Sequence, residues 1–499
     1  MIRKLTAALL LSLLSSTASA QPRSVIAITG ATIIDGNGGT PLRDASILIE
    51  DDRIVRVGKG AIAIPKDAKH IDASGKYIIP GLIDTNVHIT GFFQQELFPL
   101  FVYGEKDVYE KYGYALEAAQ MALKYGVTTI FDTYGPLPPL MKVRDKIRRG
   151  EAIGPRLFVG GMILGWGGPN GDGEPSKKLT PLEERFNSFM TQGVGTELTT
   201  MYPDEVRAAV NRYLDLGPDF IKIGVTSHQY DPVTMTFSPR VLRTIVETAH
   251  QRGVKVQAHS SSVEGNLVAA EVGIDIITHA DIVGRQEFRP EAVKTLCGSK
   301  TFHGIFAHMT TGPAKVLFHS ESTPVGTAKP IQDAYLALSP DRKQGTVLPK
   351  PWAQYFREKW GWGMSVDVWT RNQKRLIEGG CKIAVATDST PGSFEDITGA
   401  AGSMFADMGH GTVLAIEGLV KLGMSPREAI VAATKNGALA TGLGDDLGTL
   451  EAGKIADLLI LDADPLQDIS NIRKLSVLIH DGKIVDRAML PTDPKIYNR

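Results

Sequence analysis

The chain has 499 residues, of which 54 are basic and 55 acidic, and its formal net charge is -1. Because charges of both signs are spread along the chain, the sequence lacks the basic face that a phosphate backbone requires, and we expect no nucleic-acid partner. A chain of this length accommodates an α/β barrel of roughly 250 to 400 residues together with an accessory module.

Residues 1–20 have the features of a signal peptide. Two basic residues precede the apolar run 5–14, and residues 18–20 form a small-x-small cleavage pattern. A membrane anchor is the alternative, but the run is shorter than the about 20 residues that span a bilayer. We therefore expect a mature chain that starts at Gln21, is periplasmic or secreted, and has no membrane attachment.

Both ends of the mature chain are rich in strands, whereas the middle alternates strands with helices. We predict that residues 21–80 and 446–488 combine into one β-sandwich domain, because alternating strand patterns there are joined by Gly and Asp turns. Residues 81–445 are predicted to form an α/β fold, a (β/α)8 TIM barrel. A doubly wound fold is the alternative, but no GxGxxG motif follows the first strand.

Eight apolar runs in the middle of the chain are strand candidates, the number that closes a barrel. These runs lie at residues 79–88, 127–133, 155–163, 219–225, 255–259, 274–279, 302–307 and 382–388. Amphipathic helices are predicted between several of them, at residues 114–125, 238–253 and 373–380.

The only two cysteines, Cys297 and Cys381, are far apart in the sequence. Two such residues make no disulfide framework of the kind that stabilises small secreted domains. Cys381 opens an apolar strand, where a small buried thiol is the ordinary explanation. We assign neither cysteine a role.

Polar residues that end the barrel strands are candidate site residues, because reactive groups of a barrel lie at the C-terminal ends of its strands. The candidates are Asn86, His88, Lys222, His259, His279 and Asp388. Three imidazoles, a carboxylate and an amide oxygen form a ligand set that suits Zn, Mn, Fe or Co. The Lys222 ammonium in an apolar strand is costly unless it is paired or chemically altered.

These residues, together with two flanking motifs, resemble the amidohydrolase superfamily. The motifs are PGLID at the end of the first strand-rich segment and GTLEAGKIADLLILDADPL near the C-terminus. The resemblance extends from about residue 26 to residue 485, and the imidazolonepropionase-like and prolidase-like branch is the most similar. It implies a binuclear site in which a carboxylated Lys222 bridges two cations.

The resemblance also distributes the ligands between those cations, with His259 and His279 on one and His88 and Asp388 on the other. Asn86 departs from the family pattern, which has histidine there, and this Asn-x-His variant resembles the phenylurea hydrolases. Because an amide oxygen is a weaker donor than an imidazole, the cation beside it should be bound less tightly.

Three states of the metal site are open: a weakened binuclear site, a mononuclear site on the Lys222 side, and a dead site. The dead site is least expected, because the five other groups are in place. We expect one firmly held divalent metal, with Zn first and Mn, Fe or Co as alternatives, and a second metal whose occupancy depends on conditions.

Hydrolysis by metal-activated hydroxide follows from this ligand set. Asp388 is the expected general acid and base, which passes a proton to the leaving nitrogen. His279 or His228 would assist at the developing oxyanion. A solvated loop residue is the alternative for His228, and His410 has the same status. Core or loop positions are predicted for His70, His250, His303, His308, His319 and His480.

The loops indicate a small apolar or aromatic substrate, an amide, carbamate or urea. Phe and Tyr are frequent in residues 92–103, and a Gly-rich loop spans 160–173. A last cluster is explained first by packing, because aromatic residues at helical spacing usually belong to a core, and a lid over the substrate is the alternative. Its members are Trp352, Trp360, Trp362 and Trp369.

Two other functions remain open, a metal-dependent lactonase or esterase and a catalytically inactive periplasmic binding protein. Serine hydrolases and zincins are excluded by the absence of GxSxG and HExxH. A homo-oligomer is compatible with the sequence.

Overall fold

The computed structural model describes seven segments of the chain. The strands and helices in these segments are numbered in chain order. The segments are residues 24–60, 62–90, 114–165, 195–227, 233–311, 366–390 and 408–491. Several predicted features lie outside them: the signal peptide, residues 92–103, the end of the Gly-rich loop, Trp352, Trp360, Trp362, His228 and His319.

Strands from both ends of the chain form one eight-stranded sheet. From the N-terminal side come β1 (Val25–Ile33), β2 (Leu42–Glu50), β3 (Arg53–Lys59), β4 (Lys69–Asp72) and β5 (Tyr77–Pro80). From the C-terminal side come β14 (Leu458–Leu461), β15 (Leu475–His480) and β16 (Lys483–Val485). The order is β16-β15-β14-β5-β1-β2-β3, with β4 beside β1. Antiparallel pairing of β14 with β5 joins the two ends.

The middle of the chain supplies two parallel sheets. The three-stranded sheet contains β6 (Leu82–Val87), β7 (Val127–Asp132) and β8 (Arg156–Val159). The five-stranded sheet contains β9 (Ile221–Gly224), β10 (Val256–His259), β11 (Ile276–Thr278), β12 (Phe302–Gly304) and β13 (Ile383–Ala384). Strand β6 is buried along its whole length, as expected for a parallel sheet that is covered on both faces.

Helices lie between these strands and after the last one. They are α1 (Tyr114–Lys124), α2 (Leu137–Arg148), α3 (Pro203–Asp215), α4 (Pro239–Gln251), α5 (Val263–Glu271), α6 (Pro290–Gly298), α7 (Ala307–Thr311), α8 (Val366–Glu378), α9 (His410–Lys421), α10 (Pro426–Ala432) and α11 (Lys435–Ala440). The fold is therefore a mixed α/β fold with parallel sheets. No described helix combines the length and the hydrophobicity that crossing a bilayer requires.

Helix α4 illustrates why these helices form. Ser238 caps its N-terminus by accepting a hydrogen bond from the Val241 backbone, and Pro239 follows at the first helical position. The buried face contains Val241, Leu242, Ile245, Val246 and Ala249. Their spacing of three and four residues forms one apolar stripe, and full burial of each larger side chain contributes about 1.5 to 3 kcal/mol.

Hydrogen bonds connect the two parallel sheets on both sides. On one side the Thr85 backbone donates to the Val385 carbonyl at 2.9 Å, and the His88 backbone donates to Ser389 at 2.9 Å. On the other side the Leu164 backbone donates to the Lys222 carbonyl at 2.9 Å. The ends of β6 and of the chain after β13 are thereby brought next to each other.

The predicted strand 79–88 was wrong at its start, because the apolar run contains two strands. Strand β5 ends at Pro80 in the terminal sheet, and β6 begins at Leu82 in the parallel sheet. At Gly81 between them a Cβ atom would lie 2.2 Å from Thr128 Oγ1, so only glycine allows this close approach.

The two cysteines form a disulfide, so the interpretation of Cys381 as a buried free thiol was wrong. Cys297 lies in the last turn of α6, and Cys381 comes just before β13. Because 84 residues separate them in the sequence, the pairing depends on the tertiary fold and has no local signature.

Replacing Cys381 by Ser is expected to lower the free energy of unfolding by about 2 to 4 kcal/mol, because the unfolded chain loses a long covalent loop. Urea unfolding of the variant measures the loss. The double variant with Cys297→Ser should lose no more, and reductant should bring the wild type to the same value. Two titratable thiols in the unreduced wild type would contradict this prediction.

Candidate metal centre and active site

Four of the six candidate residues form two pairs, and the other two, Lys222 and Asn86, link the pairs at the edge where the parallel strands end. Nδ1 of His259 lies 3.1 Å from Nε2 of His279, and Nε2 of His88 lies 3.6 Å from the carboxylate of Asp388. The remaining two residues stand between these pairs. The donors that the sequence placed at strand ends are therefore neighbours in space.

Lys222 connects the two pairs through its Nζ atom. It donates to Thr278 Oγ1 at 2.6 Å, and this hydroxyl lies 3.3 Å from the His279 ring. On the other side Nζ lies 3.5 Å from Oδ1 of Asn86. The Lys222 side chain is almost fully buried, and burial lowers its pKa to about 7, although the charge of Asp388 opposes this shift.

The Asn86 amide is held by hydrogen bonds at both ends. Its Nδ2 donates to Asp388 Oδ1, and its Oδ1 accepts from the Thr133 hydroxyl as well as facing Lys222. Asn86 therefore orients the carboxylate of Asp388. This role could not be predicted from an asparagine at a strand end, because it depends on a distant partner.

The protonation states of the site are those of metal ligands. Burial lowers the pKa of His279 to about 4, against the charge of Asp388, so its imidazole is neutral near neutral pH. Burial raises the pKa of Asp388, but the hydrogen bond and charge of His88 outweigh it and hold that pKa below its usual range. Nδ1 of His279 is buried without a hydrogen-bond partner in the described part of the chain. A neutral imidazole with an unshared nitrogen beside an ionised carboxylate fits a divalent cation.

Two site residues adopt strained backbone conformations. His279 has a φ of 42° and Asp388 a φ of 52°, in the left-handed region that residues with a Cβ rarely occupy. His279 directly follows β11, whereas Asp388 lies four residues after the end of β13, and its amide donates to the Asn86 carbonyl at 2.8 Å. Such strain collects at functional sites, where the surrounding structure holds it in place.

Several supporting residues were missed by the sequence analysis. Asp132 accepts from the Ile89 backbone at 2.7 Å and so holds the chain that follows His88; burial raises its pKa to about 7. Thr133 and Thr278 contact Asn86 and Lys222 as described above. All three end apolar strands with polar side chains, so the criterion that found the other candidates would also have found them.

Two further residues from the sequence analysis, His410 and Trp369, are buried away from the strand-end site. His410 begins α9 and is buried with its ring centroid 5.7 Å from that of Tyr125, which precedes the start of β7. Trp369 is fully buried in α8, as expected for packing and not for a substrate lid. Both side chains belong to the packing of the helices.

A second cluster has donor atoms close enough for a cation, at the junction of the terminal sheet with β8. Ligand atoms of Asp457, His480 and Asp481 lie within 4.8 Å of one another. However, the Arg156 guanidinium donates to both carboxylates, at 2.7 Å to Asp457. Because this cation already balances the acids, we interpret the cluster as an ion network that connects the sheets.

Replacing His480 by Gln is expected to lower the free energy of unfolding by about 1.5 to 3 kcal/mol near pH 5.5, and by less near pH 8.5. Burial lowers the pKa of His480, but the charge and hydrogen bond of Asp457 raise it above the ordinary 6.5. The contribution of the charged imidazole is thus complete below 6.5 and is lost as pH rises through the folded-state pKa.

Urea unfolding at the two pH values measures this difference. His70→Gln is the control, since His70 is exposed and lies 2.8 Å from the Thr29 hydroxyl. An equal loss for His480→Gln at both pH values would refute the charged pair.

Comparison with known proteins agrees with the geometry of the strand-end site. The model of the amidohydrolase family matches residues 77–485, which covers both parallel sheets and all three C-terminal strands. The chain belongs to the amidohydrolase family. The predicted family and the prediction that the chain is an enzyme are thereby confirmed.

The amidohydrolase is similar to several named hydrolases over nearly its whole length. It is 26% identical to ochratoxinase of Aspergillus niger, over 93% of this chain and 87% of that protein. A structure of molinate hydrolase is 30% identical with a TM-score of 0.74, over 94% of this chain and 96% of that chain. A structure of phenylurea hydrolase B has the same identity and TM-score, over 94% and 99%. Imidazolonepropionases are also similar, as the sequence predicts.

Proposed function

We propose that this amidohydrolase cleaves carbon–nitrogen bonds of small apolar or aromatic amides, carbamates or ureas with a divalent metal, Zn first. The observation that carries the proposal is the pair of donor sets joined by Lys222: His259 with His279, and His88 with Asp388. The similarity to proteins named for a phenylurea, molinate and ochratoxin supports a substrate of this class.

The residues present fit the metal that the family implies. His259 and His279 would hold one cation, and His88 with Asp388 a second that is bound less tightly, because Asn86 replaces a stronger donor. When bound, a divalent cation supplies an activated water near neutral pH and polarises a carbonyl group. Manganese, iron and cobalt accept the same donors.

Lys222 is proposed to react with carbon dioxide to form a carbamate. Its neutral amine attacks the carbon of carbon dioxide, a nitrogen–carbon bond forms, one carbon–oxygen π bond opens to leave the negative charge on oxygen, and the amine proton passes to solvent. A pKa of about 7 makes the neutral amine abundant near neutral pH. The product is an anion in place of a buried ammonium, and this negative charge would balance part of the charge of two bound cations.

Asp388 is proposed as the general base and acid. Its pKa, held below the usual range, keeps it ionised and ready to accept the proton of the attacking water. It then gives that proton to the leaving nitrogen, and the Asn86 amide orients the carboxylate during both transfers. His279 and His228 are proposed to assist at the oxyanion; His228 lies outside the described residues.

For the architecture, we propose that the two parallel sheets close into a (β/α)8 barrel at residues 81–445 and that the terminal sheet forms a sandwich. Parallel bridges between Val87 and Ser389 and between Leu164 and Ile223 support this closure. The disulfide supports export after removal of residues 1–20, because disulfides persist in oxidising compartments.

Metal analysis of the purified mature protein and a hydrolysis panel of amides, carbamates, ureas and lactones test this function. We expect at least one divalent metal per chain and turnover of an aromatic amide or urea. Turnover of lactones alone would favour the alternative, a lactonase or esterase. Neither metal nor turnover after addition of Zn, Mn or Co would refute the enzyme mechanism and favour a binding protein.

Replacing Asn86 by His is expected to raise the affinity for the second cation by about 10-fold or more, because an imidazole replaces a weak neutral oxygen donor. Titration of the metal-depleted protein, followed by elemental analysis, measures it. Thr85→Ser, one residue away and facing the Val385 carbonyl, is the control. An unchanged metal stoichiometry and affinity in Asn86→His would count against this account.

A further inference from the structure

Asp84 is a buried carboxylate in β6 that the proposed mechanism does not use. None of its surface is exposed, and it lies two residues before Asn86. Within the described residues four hydrogen bonds reach it, and all of them come from uncharged donors. Because a carboxylate is costly to bury unless it is well hydrogen-bonded, these bonds show which groups it holds.

Half of these hydrogen bonds come from Thr387, the residue directly before Asp388. The Thr387 hydroxyl donates to Oδ2 of Asp84 at 2.7 Å, and the Thr387 backbone amide donates to Oδ1 at 3.2 Å. The Asn86 backbone amide donates to the same Oδ1 at 3.3 Å. The fourth donor is the Thr412 hydroxyl on helix α9, at 2.7 Å from Oδ2. One carboxylate thus joins β6 to the chain that leads into Asp388.

The Thr387 hydroxyl extends this connection to the residue after Asp388. It accepts from the Ser389 backbone amide at 3.1 Å and lies 2.7 Å from the Ser389 hydroxyl. Because the single hydroxyl proton of Thr387 goes to Asp84, the Ser389 hydroxyl is the donor in this contact. The Ser389 carbonyl in turn accepts from the His88 backbone at 2.9 Å. Asp84 therefore acts on both sides of Asp388.

The backbone at Asp388 depends on such support. Its φ is 52°, and β13 ends four residues earlier, so regular strand pairing does not hold it. The Thr387 and Asp388 amides both donate to the Asn86 carbonyl, at 3.1 Å and 2.8 Å, where the chain turns. A strained residue persists only where its surroundings over-determine its conformation. The bonds of Asp84 to Thr387 provide a further constraint of this kind.

We propose that Asp84 is a positioning residue for Asp388. It fixes the backbone before and after Asp388, so that the Asp388 carboxylate stays where it can exchange a proton with the attacking water. The inference rests on the proposed function, in which Asp388 is the general base and acid. Asp84 itself transfers no proton and contacts no substrate, so its loss affects kcat and leaves substrate binding nearly unchanged.

The first test replaces Asp84 by Asn in the full mature chain, with 4-nitroacetanilide and phenylurea as substrates. An amide has one oxygen and two N–H donors, so it cannot accept all four bonds. We expect kcat to fall about 10- to 100-fold and KM to stay within about 2-fold, since misplacing a catalytic group by about 1 Å can cost about 100-fold in rate. Assays with saturating Zn separate this effect from a change in metal affinity.

Thr412→Val is the matched control, because it removes a hydroxyl bond of the same length to the same Oδ2, but from helix α9. It should lower the melting temperature and keep kcat within about 2-fold. Thr387→Val should lower kcat about 10-fold, and Thr387→Ser, which retains the hydroxyl, should restore it. This pair decides the question if Asp84→Asn does not fold. Equal losses of kcat in Thr387→Val and Thr412→Val would overturn the positioning role.

Crystal structures of the chelator-treated wild type and variants test the proposal without substrate. We expect the Asp388 carboxylate to move by about 1 Å in Asp84→Asn or Thr387→Val, and to keep its place 3.6 Å from Nε2 of His88 in Thr412→Val. An unmoved Asp388, or an unchanged kcat in an active Asp84→Asn enzyme, would overturn the role of Asp84. A wild type that hydrolyses no panel compound would refute the proposed function instead, and the position of Asp388 would still decide whether Asp84 holds it.

Discussion

Replacing Asp388 by Asn is expected to lower kcat about 1,000-fold while the fold and the cation held by His259 and His279 are retained. General acid–base catalysis contributes factors of about 100 to 10,000, and an amide cannot accept the proton of the attacking water. Steady-state kinetics on the best panel substrate, with elemental analysis of the same preparation, measures the effect.

Asp275→Asn is the matched control for this prediction. Like Asp388, Asp275 is a half-buried, ionised carboxylate, but it comes just before β11 at the opposite edge and binds Lys255 and His250. We expect this variant to lose stability and to keep kcat within a few-fold of the wild type. Activity of Asp388→Asn close to that of the wild type would exclude Asp388 as the acid and base.

Replacing Lys222 by Met is expected to abolish activity and to reduce the bound metal to background, because the proposed bridging anion is lost. In the metal-free, uncarboxylated chain the same substitution should raise the free energy of unfolding. The pKa of Lys222 is about 7 in the folded chain and 10.5 in the unfolded one, so the buried amine destabilises the fold below pH 10.5. The gain is largest below pH 7 and shrinks as pH rises toward 10.5.

Elemental analysis and urea unfolding of the chelator-treated proteins near pH 6.5 and pH 9.5 test both parts. Lys255→Met is the control. Lys255 lies just before the start of β10, at the edge opposite to the site, and pairs with Asp275 at 2.8 Å. It should keep the metal and lose stability. Full metal occupancy in Lys222→Met would refute the bridging role.

The six ligand candidates could be predicted because the site depends on a rule of topology. Parallel strands end at one edge, so polar residues that end apolar runs, such as His259 and His279, meet there whatever the details of packing. The burial of Lys222 could also be predicted from the sequence, since this residue lies between two isoleucines in an apolar strand and has no charged neighbour along the chain.

The hydrogen bonds of Asn86 could not be predicted from its sequence neighbourhood. Its amide is oriented by Thr133 from the next strand and by Asp388, which is 302 residues away. The disulfide was missed for the same reason, since Cys297 and Cys381 meet only after α6 packs beside β13.

The division of one apolar run into β5 and β6 was also hidden, because hydrophobicity does not change across Pro80 and Leu82. Both strands are buried, and only the close contact of Gly81 with Thr128 marks the point where the chain leaves one sheet for the other. A run of hydrophobic residues predicts that a strand is buried, but it does not show to which of two sheets the strand belongs.

The pairing of β5 with β14 also orders the folding of this chain in time. The edge of β5 stays unpaired until residues near 461 are available, because β14 is its neighbour on that side. An incomplete chain therefore presents an open strand edge directly before the segment that carries Asn86 and His88, where another chain could pair. In the proposed export, in which the N-terminus leaves first, the sheet beside the proposed catalytic groups is complete only when the last tenth of the sequence has emerged.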